Sequence, residues 1–195
     1  ALLLAEIARP GTFAGIYAFE PVVFAPPPSG VLDLSSPLAD MTRRRRESFG
    51  SREEAHANFL SKPPLSGFDP AALRAYLDHG FEELAGGEVR LRCGRNHEAD
   101  MYMAGRAHDA WDHLGEIACP VTVAYGERSD FMDAASAGEL ASRLARGEVE
   151  LVGGVSHFGP MERPGEVAGS AMAAFATGGP ATGRRRVRDS DTPMA

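Results

Sequence analysis

Residues 151–164, which read LVGGVSHFGPMERP, decide the fold of this chain. A short apolar run ends at Val152, two glycines follow it, and His157 lies on the turn after them. Glycine tolerates a positive φ, so such a turn can hold a side chain at the mouth of a sheet. Open α/β sheets bind and transform ligands just past the C-terminal ends of their parallel strands. We therefore predict that His157 belongs to a functional site.

A second strand and an acidic loop lie upstream, in residues 119–130, CPVTVAYGERSD. The β-forming run from Val121 to Tyr125 is typical of a strand that is buried on both faces. Gly126 ends this strand, and Asp130 lies in the loop that follows. The 157 − 130 = 27 residue separation from Asp130 to the histidine leaves room for one helix and one strand. Strand, acid, helix, strand, histidine and helix is the second half of a nucleophile–acid–histidine relay in one of its known chain orders.

Together these two stretches resemble the closing motifs of the α/β-hydrolase fold superfamily. The resemblance implies an α/β fold with a partial doubly wound parallel sheet, whose strands we expect at about residues 15–24, 120–126 and 148–153. It further implies that His157 is a general base and that Asp130 fixes its tautomer and stabilises the imidazolium. It implies no cofactor and no metal ion.

Glu20 is the alternative acid. It interrupts the apolar run of the first strand, and a buried carboxylate is costly unless it is paired or lies at the rim of a site. In some proteins of the resembled fold the acid follows this same strand, although Glu20 could also be a solvent-facing strand end. We favour Asp130, because its loop lies just before a helix, as the chain order requires.

The middle of the chain is charged and rich in helix signals, including an N-terminal capping pattern at Ser51 and the pair Asp69-Pro70. It resembles the cap, or lid, that α/β-hydrolases carry between these strands. We divide the chain into a core of residues 1–42 and 106–177, a helical cap of residues 43–105, and a disordered tail of residues 178–195. Residues 29–40 have loop composition, and the arginine run of residues 43–46 is interpreted as a solvated helix face.

Two groups of residues in this middle region could also form functional sites. His97, Glu98 and Asp100 could suggest a metal site, but no further ligand follows at a zinc-like spacing. Tyr76 and Tyr102 could activate an epoxide oxygen from the cap, but ordinary core or rim tyrosines are more common. We assign neither cluster to the site.

The 195 residues contain no G-x-S-x-G elbow, and the chain opens on an apolar helix. We therefore expect a fragment whose nucleophile lies upstream. A serine nucleophile would make the protein an esterase-type hydrolase acting on small molecules, and an aspartate would make it an epoxide or haloalkane hydrolase. A third hypothesis is a truncated, non-catalytic interaction or regulatory protein.

Composition limits the partners. The formal net charge of −7 gives little support to nucleic-acid binding, and no apolar run approaches the ~20 residues of a membrane span. Two cysteines without a close partner fit a reducing, cytoplasmic setting. We expect a small-molecule substrate, and self-association through the exposed edge of the first strand.

Overall fold

The computed structural model describes residues 1–26, 36–105 and 107–176. The strands are β1 (Ile16–Phe19), β2 (Ser48–Phe49), β3 (Phe81–Glu83), β4 (Val89–Leu91), β5 (Val121–Gly126) and β6 (Gly147–Val152). The helices are α1 (Leu2–Ala8), α2 (Pro37–Arg43), α3 (Arg52–Leu60), α4 (Pro70–Gly80), α5 (Arg95–Ala104), α6 (Ala110–His113), α7 (Ala134–Arg143), α8 (Gly159–Glu162) and α9 (Pro164–Ala176). The predicted tail of residues 178–195 lies outside the described residues.

The main sheet is parallel and has the order β1-β5-β6. The three predicted strands are therefore confirmed, and the fold is the expected α/β type. β1 is shorter than predicted, because Glu20 adopts a φ of 43° and Pro21, which follows it, has no N–H to donate to a ladder. The chain leaves the sheet at the residue that carries the carboxylate.

Helices cover both faces of this sheet. On one face α1, α6 and α7 bury Leu3, Trp111 and Leu140 against β1 and β5. On the other face Val167 of α9 packs against β5 and β6. The same helix leaves other apolar residues in solvent, since Met172 and Phe175 are 72% and 54% exposed.

Residues 37–104 form an insertion between β1 and β5 with a hydrophobic cluster of its own. This insertion combines helices with a small antiparallel sheet of order β2-β4-β3, where the sequence predicted a helical cap. The residues that build its core come from α3, α4 and all three strands: Phe49, Ala55, Phe59, Leu73, Leu77, Phe81, Val89 and Leu91.

The segment predicted as a loop at residues 29–40 is partly helical. Residues 27–35 lie outside the described residues, but α2 begins at Pro37, and Ser36 Oγ accepts a hydrogen bond from the Ala39 N–H at 3.2 Å. A serine N-cap followed by proline is a helix start signal that the loop-like composition obscured.

The arginine run of residues 43–46 lies mostly beyond the end of α2, and three of its side chains form ion pairs while staying partly exposed. Arg43 pairs with Asp100 at 2.9 Å, and Arg45 pairs with Glu98. Arg46 pairs with Glu54 of α3 at 2.7 Å and stacks on the ring of Phe49. These residues hold α2 and β2 to α3 and α5, so their charges are used inside the insertion.

Within the described residues, no helix combines the length and the apolar character needed to cross a bilayer.

The C-terminal end of β5 approaches the loop after β6 very closely. A Cβ added at Gly126 would lie 2.6 Å from the Val155 carbonyl oxygen and 2.7 Å from that of Ser156. The Arg128 N–H donates to the same Val155 carbonyl at 2.9 Å. Glycine is therefore required here because two backbones touch.

We predict that Gly126→Ala lowers the free energy of unfolding by about 2 kcal/mol, because the added methyl group overpacks the contact between two backbone segments. The matched control is Gly138→Ala in the middle of α7, where an added Cβ meets nothing within 4 Å. That control should instead stabilise the protein by about 0.5–1 kcal/mol, since alanine favours helix over glycine. Urea denaturation followed by circular dichroism measures both. Equal effects would show that the close approach is not rigid.

The outer edge of β1 has no strand partner among the described residues. The N–H groups of Ile16 and Glu20 donate to the β5 side, so those of Tyr17 and Phe19 point to the open edge. Open edges of this kind pair with other chains. We predict concentration-dependent self-association in sedimentation velocity; one monomeric species across the whole concentration range would contradict this.

Candidate active site

The turn that carries His157 is clamped from behind by a carboxylate. Gly154 adopts a φ of 67°, which turns the chain away from β6. Glu162 of α8 then accepts two hydrogen bonds from Ser156, one from its N–H at 2.9 Å and one from its hydroxyl at 2.6 Å. The backbone just before the histidine is thus fixed by the helix that follows it.

His157 is paired with Glu20. The imidazole Nδ1 lies 2.6 Å from Glu20 Oε2, across 137 residues of sequence. The Glu20 side chain is completely buried, whereas that of His157 is 35% exposed. The alternative acid of the sequence analysis, at the end of β1, is therefore the residue that contacts the histidine.

The Glu20 carboxylate accepts hydrogen bonds from three directions. The Gly126 N–H donates to Oε1 at 2.8 Å, and the Ser129 hydroxyl donates to Oε2 at 2.9 Å. Because donors already point at both oxygens, we assign the proton of the third contact to His157 Nδ1. In the neutral ring the Nε2 lone pair is then free, and no hydrogen bond joins Nε2 to any described residue. This is the tautomer that a general base needs.

Asp130 does not take the position predicted for it. Its side chain is exposed, and its carboxylate makes no hydrogen bond or ion pair with His157. The physical reason is the turn after β5, which the Ser129 N–H closes by donating to the Gly126 carbonyl at 3.1 Å. This turn points Ser129 toward Glu20 and leaves the next residue facing solvent. The prediction of an Asp130–His157 hydrogen bond is therefore wrong.

Aromatic rings surround the histidine. The ring centroid of Phe131 lies 4.6 Å from that of His157, and the centroid of Phe158 lies 5.2 Å from it on another side. These rings form an aromatic wall beside the histidine. Phe68 of the insertion lies 5.8 Å from Phe158, so this aromatic wall continues from the core into the insertion. Phe24 packs on Phe131 at 5.9 Å. The surroundings of the imidazole are apolar on the sides that these rings cover.

A cavity of about 150 Å³ lies behind Phe131. It is bounded by the chain after β1, by α6 and by α7, and its lining residues are Val23, Phe24, Ala25, Trp111, Phe131, Met132, Ser136, Glu139 and Leu140. Phe131 is therefore shared between this cavity and the wall beside the histidine.

The other candidates from the sequence lie in the insertion. Burial raises the pKa of both Tyr76 and Tyr102, so each phenol keeps its proton. The Tyr102 hydroxyl contacts Glu98 at 3.4 Å, and neither tyrosine is hydrogen-bonded to His157. His97 is exposed on α5, and the described part of the chain contains no group of three side chains that could hold a metal ion.

The choice of acid can be tested through stability. Glu20→Ala leaves the Gly126 N–H and the Ser129 hydroxyl without their buried acceptor, so we predict a loss of about 2 kcal/mol in the free energy of unfolding. Asp130→Ala is the matched control, and at an exposed site it should change that energy by less than about 0.5 kcal/mol. Chemical denaturation measures both; an equal loss in the two variants would contradict the assignment.

Comparisons with known proteins give the fold a name. No family model matches the sequence, and no curated protein matches it. Among solved structures, the peroxisomal α/β-hydrolase Lpx1 from Saccharomyces cerevisiae is 17% identical, with a TM-score of 0.75, over 93% of this chain and 52% of that protein.

Two further solved structures agree. E-2-(acetamidomethylene)succinate hydrolase is 18% identical, with a TM-score of 0.68, over 90% of this chain and 62% of its own. The esterase Rv0045c from Mycobacterium tuberculosis is 16% identical, with a TM-score of 0.64, over 90% and 56% respectively. The chain thus spans about half to three-fifths of the length of these proteins, and over that length it has the α/β-hydrolase fold.

Proposed function

We propose that this chain carries the base and the acid of a hydrolase that acts on small-molecule esters, and that the nucleophile is supplied by residues outside these 195. The single observation that supports this most directly is the 2.6 Å contact of His157 Nδ1 with the buried Glu20 carboxylate. The hydrolase fold and the position of both residues past C-terminal strand ends agree with it.

In the proposed reaction His157 Nε2 takes the proton of the nucleophile as that group attacks the carbonyl carbon of the ester. Glu20 holds the ring in the required tautomer and stabilises the imidazolium that forms. The imidazolium then gives its proton to the leaving alcohol. In the second half of the cycle the histidine removes a proton from water, which attacks the acyl-enzyme. The imidazolium then returns that proton to the departing oxygen of the nucleophile as the acid is released.

The identity of the nucleophile separates two reaction classes. A serine gives the acyl transfer just described, whereas an aspartate would attack an epoxide or a haloalkane at carbon. In that case the alkyl-enzyme ester is hydrolysed by water that His157 activates. The apolar rings of Phe131 and Phe158 suit the uncharged substrates of both classes. The ester is our first choice because one of the similar structures is named as an esterase.

The insertion is proposed to act as a lid. Two contacts support this proposal: the Asp69 N–H donates to the Met161 carbonyl at 2.8 Å, and Phe68 packs on Phe158. Both contacts reach the segment that directly follows the histidine. A lid anchored there can exclude water from the reacting groups and limit which substrates enter.

The proposal is tested by activity in two settings. The 195-residue chain should not hydrolyse nitrophenyl esters above background, because the members of a relay act as a unit. The DNA before the codon for Ala1 should encode G-x-S-x-G for an esterase or G-x-D-x-G for an epoxide or haloalkane hydrolase. In the protein extended to include that motif, His157→Ala and Glu20→Gln should each lower kcat by about 10³–10⁴-fold.

The control in the extended protein is Asp130→Asn, which should leave kcat within about twofold, as expected for an exposed residue outside the relay. An equal loss in Asp130→Asn and Glu20→Gln would overturn the choice of acid. Robust ester turnover by the 195-residue chain, abolished by His157→Ala, would place the nucleophile within it, at Ser129, Ser136 or Ser156. An extended frame without either motif would favour the non-catalytic interaction protein.

A further inference from the structure

Ser129 is the residue through which the loop after β5 reaches the buried carboxylate. Its hydroxyl has one proton to donate and two lone pairs to accept with. The N–H groups of Phe131 and Met132 point at that oxygen from 3.0 and 3.2 Å. The remaining contact is with Glu20 Oε2 at 2.9 Å. With both lone pairs taken, the hydroxyl proton has one direction left, toward the carboxylate.

The oxygen that receives this proton is the same one that receives His157 Nδ1. Glu20 Oε2 therefore lies between two donors, and the Ser129 hydroxyl fixes where that oxygen sits relative to the ring. Glu20 lies just past the end of β1 with a positive φ, and its N–H donates to the Ala124 carbonyl at 2.8 Å. The backbone bond leaves the carboxylate free to turn, so the position of its oxygens depends on these side-chain contacts. Without Ser129, the Oε2 atom keeps one donor in place of two.

The same Ser129 hydroxyl also positions the Phe131 ring of the aromatic wall. By accepting from the Phe131 N–H, it ends the turn so that the Phe131 ring lies 4.6 Å from the imidazole. One side chain thus connects the acid, the base and one side of the apolar surroundings.

We propose that Ser129 is a positioning residue, whose hydroxyl holds Glu20 Oε2 against His157 Nδ1 and keeps the imidazole in its base-competent orientation. The importance of that orientation for turnover rests on the proposed function, but the contact itself does not. Ser129 acts through Glu20 and needs no contact with substrate.

The test observes the hydrogen bond directly. The His157 Nδ1–H proton of the 195-residue chain should appear as a low-field resonance in proton NMR, assigned by its loss in His157→Ala. In Ser129→Ala this proton should exchange with water about tenfold faster or disappear by broadening, because tenfold corresponds to about 1.4 kcal/mol and a hydrogen bond to a charged group contributes at least that much. Ser129→Thr keeps the hydroxyl and should restore the slow exchange.

Two controls separate positioning from folding. Ser142→Ala removes an exposed hydroxyl on α7 that donates to the Glu139 carbonyl, and it should leave the resonance unchanged. Ser129→Cys keeps the shape of the side chain with a slightly larger atom and a weaker donor, so it should give intermediate exchange even if Ser129→Ala unfolds. Circular dichroism reports folding for each variant.

Each outcome has a separate meaning. Exchange within twofold of wild type in folded Ser129→Ala or in Ser129→Cys overturns the inference and leaves the proposed function standing. Absence of the resonance from the wild type even in the cold, where exchange with water is slowed, shows that the Glu20–His157 pair is not formed, which overturns both. If the variants behave as expected but the extended protein hydrolyses no ester, epoxide or haloalkane, the proposed function fails and the role of Ser129 in the pair survives.

Discussion

The burial of one carboxylate constrains the rest of this structure. An ionised glutamate without any exposed surface is unstable unless its oxygens are satisfied. Glu20 obtains its donors from the end of β5, from the loop after that strand and from the turn after β6. None of these segments is close to Glu20 in sequence, so the carboxylate is satisfied only when all three parallel strands are in register. The same interaction therefore links the folding of the sheet to the geometry of the histidine.

The close backbone contact at Gly126 allows the donors to reach the Glu20 carboxylate. Because no side chain separates β5 from the backbone of Val155 and Ser156, the turn that carries His157 lies directly on the strand end. That contact also places the Gly126 N–H under Glu20 Oε1. A larger residue would push the histidine turn outward, and the 2.6 Å contact between the ring and the carboxylate would open. The backbone packing at Gly126 and the hydrogen bonding of Glu20 thus both require the histidine turn to lie close to the end of β5.

The strands and the histidine could be predicted from the sequence, because a buried strand and a glycine turn are properties of a few neighbouring residues. The acid could not be predicted in this way. The sequence does not show whether the tight turn after β5 directs the side chain of Ser129 or that of Asp130 toward the site. The energetic cost of burying a carboxylate favoured Glu20 over Asp130. A carboxylate in an apolar strand needs hydrogen-bond partners, and this need was the signal for Glu20.

The segment after the histidine joins two parts that otherwise keep separate cores. The cluster around Trp111 belongs to the parallel sheet, and the cluster around Phe59 belongs to the insertion. In α8, two adjacent residues bind the two parts: the Met161 carbonyl accepts from the insertion, and the Glu162 carboxylate accepts from the histidine turn. The insertion is thus bonded to the same short helix that clamps the backbone before His157. The histidine turn and the aromatic wall therefore share this one short helix as a support.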